Sequence, residues 1–226
     1  MAGPSIREFL DDSFDPEVRG WLHLPELPTG DVLVLTHGAG SNANASLLVA
    51  LAETFSAAGF TVLRCDLPYR QVRSFGPPGP GDAARDRAGL RHAIEAIKKR
   101  VPGRIFLGGH SYGGRQSSML CAELSREEPD LVAGLLLLSY PLHPPRKPEQ
   151  QRTQHLPDLR TPTLFVSGTR DPFGTIEELE RAVKMIPAKI RLLPIEGGGH
   201  DLGFKGKAKE ELPRRIFAEF ASFIPL

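Results

Sequence analysis

Five residues constrain this chain more than any others: Gly109-His110-Ser111-Tyr112-Gly113, directly after the apolar run Ile105-Phe106-Leu107. They fit G-x-S-x-G, a pattern in which a strand turns sharply into a helix and leaves a serine exposed at the apex. Glycine is needed around that turn because strand and helix pass closely and the serine is held in an unusual φ/ψ region. A motif this short also arises by chance, so its context decides. Upstream, Pro102-Gly103 opens a short buried strand that runs into the motif. Downstream, Met119, Leu120, Ala122 and Leu124 lie in a segment long enough for a helix, which gives way near Glu128-Pro129. Strand, motif and helix follow in the required order.

Two further residues fall where such a serine needs them. The apolar strand Pro162–Gly168 runs into Thr169-Arg170-Asp171, and the strand Ile190–Ile195 runs into Glu196-Gly197-Gly198-Gly199-His200. A serine, then an acid, then a histidine, each after a strand, is the chain order of one hydrolase architecture; chymotrypsin-like and subtilisin-like enzymes use other orders. Ser111 is the expected nucleophile. His200 is the expected base, since imidazole titrates near working pH and can take and return a proton. Asp171 is expected to fix the histidine tautomer. Asp201, Asp158, Glu177 and Glu178 compete for that role, but only Asp171 sits just beyond the end of the relevant strand.

Backbone N–H groups of Tyr112 and Ala39 are the expected oxyanion donors. The second comes from His37-Gly38-Ala39-Gly40, where Gly38 and Gly40 are alternatives and a plain tight turn is the competing reading. His37 and His110 are placed to orient other groups rather than to bind metal. His143 and His155 lack Cys or carboxylate partners at metal spacing, so neither a metal nor a cofactor is expected. Arg70 and Arg73 lie on a site-facing loop and either attract a carboxylate or phosphate on the substrate or belong to the solvated surface. Arg115, one helical turn beyond Ser111, is expected to pair with Asp66 or Asp82.

The rest of the chain alternates strand and helix patterns. Val18–Leu24 reads as an antiparallel edge strand, and Val32–Thr36, Phe60–Arg64 and Leu131–Ser139 as further strands. Leu47, Leu48, Leu51 and Phe55 recur at helical spacing, as do Leu90, Ala93, Ile94 and Ile97; Ile176, Leu179 and Val183; and Leu212, Ile216, Phe220 and Phe223. The alternation predicts an α/β fold with a mainly parallel, doubly wound sheet and helices on both faces, as one domain over residues 1–226. No internal repeat is present. The loops Leu67–Gly81 and Pro141–Pro162 follow strands at their carboxyl ends and either overhang the site or serve as inert connectors. About twenty mostly polar residues in the second cannot build a cap with its own core. An open site and short acyl chains are therefore expected.

With these motifs the chain resembles the α/β-hydrolase superfamily over nearly its whole length. The run Leu138-Ser139-Tyr140-Pro141-Leu142-His143-Pro144-Pro145, with Lys147-Pro148 and His155-Leu156, is similar to small hydrolases of the testis-expressed and dienelactone-hydrolase-like group. The resemblance implies hydrolysis of a small-molecule ester but no defined substrate. Dienelactone hydrolases proper carry a cysteine nucleophile where this chain has Ser111, so their substrate is not carried over. Thioester or amide hydrolysis and acyl transfer use the same residues, and an idle fold used as an interaction module is the reading from another class.

Composition agrees with an ordinary globular protein: 226 residues, 40% hydrophobic, 24% charged, net charge +1. Lys98-Lys99-Arg100 and Lys205–Lys209 read as solvated helix ends, so no nucleic-acid partner is expected. The N-terminus has no apolar core of a signal peptide and no run reaches membrane-spanning length. Cys65 and Cys121 are expected to be free and buried, which makes a cytoplasmic location the default. Oligomeric state is not legible.

Overall fold

The computed structural model describes residues 5–224; Met1–Pro4 of the N-terminal segment and residues 225–226 lie outside them. In chain order the elements are β1 (Ser5–Asp11), β2 (Val18–Leu24), β3 (Val32–Thr36), α1 (Ser46–Ala57), β4 (Thr61–Cys65), α2 (Pro68–Val72), α3 (Asp82–Lys98), β5 (Ile105–His110), α4 (Tyr112–Glu127), β6 (Gly134–Leu138), β7 (Thr163–Gly168), α5 (Ile176–Val183), β8 (Ile190–Ile195) and α6 (Ala208–Phe223). All strands join one sheet in the order β1-β2-β4-β3-β5-β6-β7-β8. From β3 to β8 the pairs are parallel, while β2 pairs antiparallel with both β1 and β4.

Strands β3 to β7 are buried on both faces, and their side chains alternate between two cores. Val32, Val34, Leu107, Leu135, Leu137 and Phe165 face α3, α4 and α5. Leu33, Leu35, Phe106, Leu136, Leu138 and Leu164 face α1 and α6. On that second side Phe55 meets Phe60, and Phe106 meets Phe220, edge to face with ring centres 5.4 Å apart, the arrangement that aromatic quadrupoles favour. Burying each such side chain contributes about 1.5–3 kcal/mol.

Two expectations need correction. Val18–Leu24 is not the sheet edge: β1 lies outside it, with Phe9 opposite Gly20. Only Phe9 of Ser5–Asp11 is buried, so the segment carries no apolar alternation to announce a strand. Leu67–Gly81 is not all loop, because Pro68, whose fixed φ suits a first helical turn, opens the short helix α2. The Pro141–Pro162 segment holds a single 3-10 turn, Leu156–Asp158, and no cap. Cys65 and Cys121 are free and buried, and burial pushes both thiols up to about 12. Among the described residues no helix is long and apolar enough to cross a membrane.

Candidate active site

At the carboxyl end of β5 the chain turns into α4 through Ser111, which sits at φ 52° and ψ −117°. That region is costly for a residue with a Cβ and persists only where surroundings over-determine it. Here the Ser111 amide donates to the Leu138 carbonyl at 2.8 Å, and its carbonyl accepts from the Arg115 amide at 2.9 Å. The glycines are required by contact. A Cβ on Gly113 would lie 2.5 Å from the His37 carbonyl oxygen, and one on Gly109 2.8 Å from the Gly113 backbone.

Ser111, Asp171 and His200, 29 to 89 residues apart, come together beyond the carboxyl ends of β5, β7 and β8. His200 Nε2 is 2.8 Å from Ser111 Oγ. His200 Nδ1 is 2.9 Å from Asp171 Oδ2 and 3.1 Å from Oδ1. A carboxylate beside Nδ1 keeps the proton there and leaves Nε2 as the acceptor for the serine hydroxyl. Asp171 is buried and also accepts from the Phe173 amide at 2.9 Å, whereas the His200 side chain is 25% exposed. The two loops that carry this pair are joined by backbone bonds, Thr169 N–H to Ile195 at 3.0 Å and Arg170 N–H to Gly198 at 2.8 Å. Phe173 stacks on His200 with ring centres 4.2 Å apart, and His110 Nε2 donates to the His200 carbonyl at 2.8 Å. The competing acids are engaged elsewhere: Asp201 with the Gly203 amide, Asp158 with Arg126, and Glu178 with the cap of α5 at Thr175.

The loop after β3 is held from behind. The Gly38 carbonyl accepts from His37 Nδ1 at 2.9 Å, the Ser41 amide at 3.0 Å and the Tyr69 hydroxyl at 3.3 Å. Because a trans peptide points its N–H opposite its C=O, the Ala39 N–H faces the other way. Among the described residues, neither this N–H nor that of Tyr112 donates to an acceptor in the chain. Gly38 comes close to the serine; a Cβ there would sit 3.4 Å from Ser111 Cβ. His37 Nε2 accepts from the Leu67 amide at 3.1 Å, and burial lowers its pKa, so the ring stays neutral although Asp66 lies 3.5 Å away.

Arg70 does not have the solvated place that was one of the two expected for it. It is buried, and its guanidinium donates to the carbonyls of Ser41 at 2.7 Å, Ala39 at 3.1 Å, Gly76 at 2.8 Å and Arg73 at 3.0 Å. It is a strut under the Gly38–Ser41 loop and no part of the solvated surface. Arg73 pairs with Asp82. That pair removes one of the acids expected for Arg115, and Asp66, the other, accepts from the Ala43 amide at 2.7 Å; Arg115 has neither.

Asp86 is fully buried, and burial raises its pKa. One carboxylate oxygen accepts from the Tyr69 amide at 3.0 Å and the other from the Tyr112 hydroxyl at 2.7 Å. In the sequence it is one more charge in a charged helix. Beside the serine, a cleft of ≈ 200 Å³ opens between Gly38, Ala45, Leu47, Leu48, His110 and Phe204.

The family model of the alpha/beta hydrolase domain matches residues 29–224. Dienelactone hydrolase from Anabaena variabilis superposes with a TM-score of 0.76 at 21% identity over 98% of each chain. An alpha-beta serine hydrolase homologue from Coxiella burnetii gives 0.71 at 18% identity, covering 95% of this chain and 97% of that one. An α/β serine hydrolase without lid from Xanthomonas campestris gives 0.71 at 14% identity, over 100% of this chain and 97% of the other. At these identities the likeness is one of fold. A stretch of 48 residues, 21% of this chain, is 50% identical to polyketide synthase ThaQ of Burkholderia thailandensis and spans 2% of that protein.

Proposed function

The chain belongs to the alpha/beta hydrolase family, and on that premise we propose that it is a serine hydrolase cleaving short carboxylic esters through an acyl-enzyme. The observation that carries this reading is the continuous Ser111–His200–Asp171 chain of hydrogen bonds, with links of 2.8 and 2.9 Å. Ser111 Oγ attacks the ester carbonyl while His200 Nε2 takes its proton. The tetrahedral oxyanion lies against the N–H groups of Tyr112 and Ala39, which cost no reorganisation because their peptides are already held. His200 returns the proton to the leaving alcohol. Water then attacks the acyl carbon, again through His200, and releases the acid with Ser111 restored. Asp171 stabilises the imidazolium at each step.

The adjoining cleft supports a small acyl group, because it holds only ≈ 200 Å³ and Ser41, Ser46 and Asp201 share its lining with Ala45, Leu47, Leu48 and Phe204. Hydrolysis of p-nitrophenyl acetate and butyrate by the wild type and by Ser111→Ala tests the proposal. We expect the variant to lose at least about 10³-fold in kcat and to escape labelling by a fluorophosphonate that labels the wild type once. Equal rates for the two proteins would overturn it.

A further inference from the structure

His110 immediately precedes Ser111, and its Nε2 lies 2.8 Å from the His200 carbonyl oxygen. A carbonyl only accepts, so the proton is on Nε2. Burial lowers the His110 pKa and keeps the ring neutral. A neutral imidazole protonated on Nε2 has a bare lone pair on Nδ1. Among the described residues no donor of the chain is bonded to that nitrogen. It lies close to the nucleophile: a Cβ on Gly38 would be 3.0 Å from His110 Nδ1 and 3.4 Å from Ser111 Cβ. Gly38 and His110 both line the cleft of ≈ 200 Å³.

The same cleft presents a second acceptor and a set of donors. Asp201 lines it; Oδ1 accepts from the Gly203 amide at 2.9 Å, while Oδ2 has no partner among the described residues. Helix α1 starts at the wall with Ser46, Leu47 and Leu48, and Ala45 before them supplies no side-chain cap. The N–H groups of that first turn therefore have no partner within the helix. None of the lining residues is a lysine or an arginine. A purely apolar acyl chain would dry these polar groups and give them nothing in return, which is unfavourable. A carboxylate would face Asp201 and the bare Nδ1, and an ammonium has no acceptor to offer the N–H groups of α1. A hydroxyl both donates and accepts.

We infer that His110 Nδ1 and Asp201 make this cleft selective for an acyl group bearing a hydroxyl a few bonds from the scissile carbonyl. The two residues accept the hydroxyl hydrogen, and the first turn of α1 donates to its oxygen. The inference deepens the proposed function and rests on Ser111 as the nucleophile. The substrate class it names is a short hydroxyacyl ester, such as an ester of 3-hydroxybutanoic acid.

A pH-stat comparison tests it with methyl 3-hydroxybutanoate, methyl 3-methylbutanoate, in which a methyl group replaces the hydroxyl at similar size, and methyl 3-aminobutanoate as the cationic arm. The wild type is expected to give its highest kcat/KM with the hydroxy ester. His110→Phe keeps a ring in place but removes the acceptor, and should lower the hydroxy-to-methyl ratio about fivefold, the scale of one net hydrogen bond. Losing the bond to the His200 carbonyl slows both esters alike and cancels in that ratio. Asp201→Ala, on an exposed loop, is the second variant should the first fail to fold, with the same direction expected. Independently of turnover, 3-hydroxybutanamide should bind the wild type more tightly than 3-methylbutanamide in ligand-observed NMR. A ratio unchanged in the folded variants, a wild type that prefers the methyl or the amino ester, or amides that bind equally or not at all overturns the inference. Selective binding of the hydroxy amide without hydrolysis or fluorophosphonate labelling would instead overturn the hydrolase reading and leave the hydroxyl site standing.

Discussion

Asp86 and Tyr112 join two helices beneath the candidate site: the buried carboxylate accepts the Tyr112 hydroxyl at 2.7 Å. Its second oxygen holds the Tyr69 amide, and the Tyr69 hydroxyl donates to the Ala39 carbonyl at 2.8 Å. One acid therefore connects both segments whose N–H groups face the reacting oxygen in the proposed mechanism.

Replacing it tests that connection. Asp86→Leu removes both acceptor oxygens and leaves the buried Tyr69 N–H and Tyr112 hydroxyl without their partner, so unfolding free energy should fall by about 1–3 kcal/mol. If the two N–H groups move apart, kcat for a short p-nitrophenyl ester drops about tenfold or more while KM changes little, since the loss is confined to transition-state contacts. Urea denaturation with steady-state kinetics reads both; a destabilised variant with unchanged kcat would dissociate Asp86 from the donors.

Gly113→Ala is a packing test of the turn. Its Cβ would meet the His37 carbonyl at 2.5 Å, and neither backbone segment can move without shifting Ser111. We expect a loss of about 1–3 kcal/mol together with reduced esterase activity, measured by denaturation and by p-nitrophenyl acetate hydrolysis. Full activity in the variant would mean that the strand–helix contact tolerates a methyl group.

Acid should weaken the fold through buried His23 and partly buried His155. His23 Nε2 accepts from Arg64 at 2.8 Å, and burial first, then the Arg64 charge, lowers its pKa from 6.5 to about 4. His155 is lowered to about 4 as well, by burial and then by Arg115 and Arg87. In the unfolded chain both protonate near 6.5, so between pH 6.5 and 4 the unfolded state binds more protons. Stability is then lost as pH falls through that window, by up to about 1.4 kcal/mol per pH unit for each histidine. His23→Gln should remove about one proton from the slope of unfolding free energy against pH; an unaltered slope would show that His23 titrates alike in both states.

Chain length offers a reading of the cleft between Leu47, Leu48 and Phe204. Each buried CH₂ contributes about 0.8 kcal/mol, but only as far as apolar walls extend. Across p-nitrophenyl esters kcat/KM should peak at short acyl groups, roughly C2–C6, and then fall. A steady rise to long chains would reveal an acyl channel formed by the Leu67–Gly81 and Pro141–Pro162 segments.

What the sequence disclosed and what it hid divide along physical lines. The convergence of Ser111, Asp171 and His200 was legible because each follows an apolar strand, and parallel strands bring their carboxyl ends to one edge. Strand β1 was hidden because a segment at the edge of the sheet buries only Phe9 and shows no period. Arg70 looked like a ligand contact or a surface charge, for its acceptors are backbone carbonyls, which every residue has and no residue type announces. Asp86 was invisible for a related reason: within Asp82–Lys98 a buried carboxylate and a solvated one are written with the same letter. Phe173, stacked on His200, follows Asp171-Pro172 with no periodic signal at all.

The backbone bonds between the loops of Asp171 and His200 have one more implication. Acid and base are assembled with each other, while Ser111 Oγ reaches them through a single hydrogen bond to His200 Nε2. The atom that attacks in the proposed mechanism is thus an interchangeable part mounted on its own turn, and a thiol could replace the hydroxyl there with the His200–Asp171 half left whole. Reactivity in such a scaffold can be retuned one atom at a time, without renegotiating the fold.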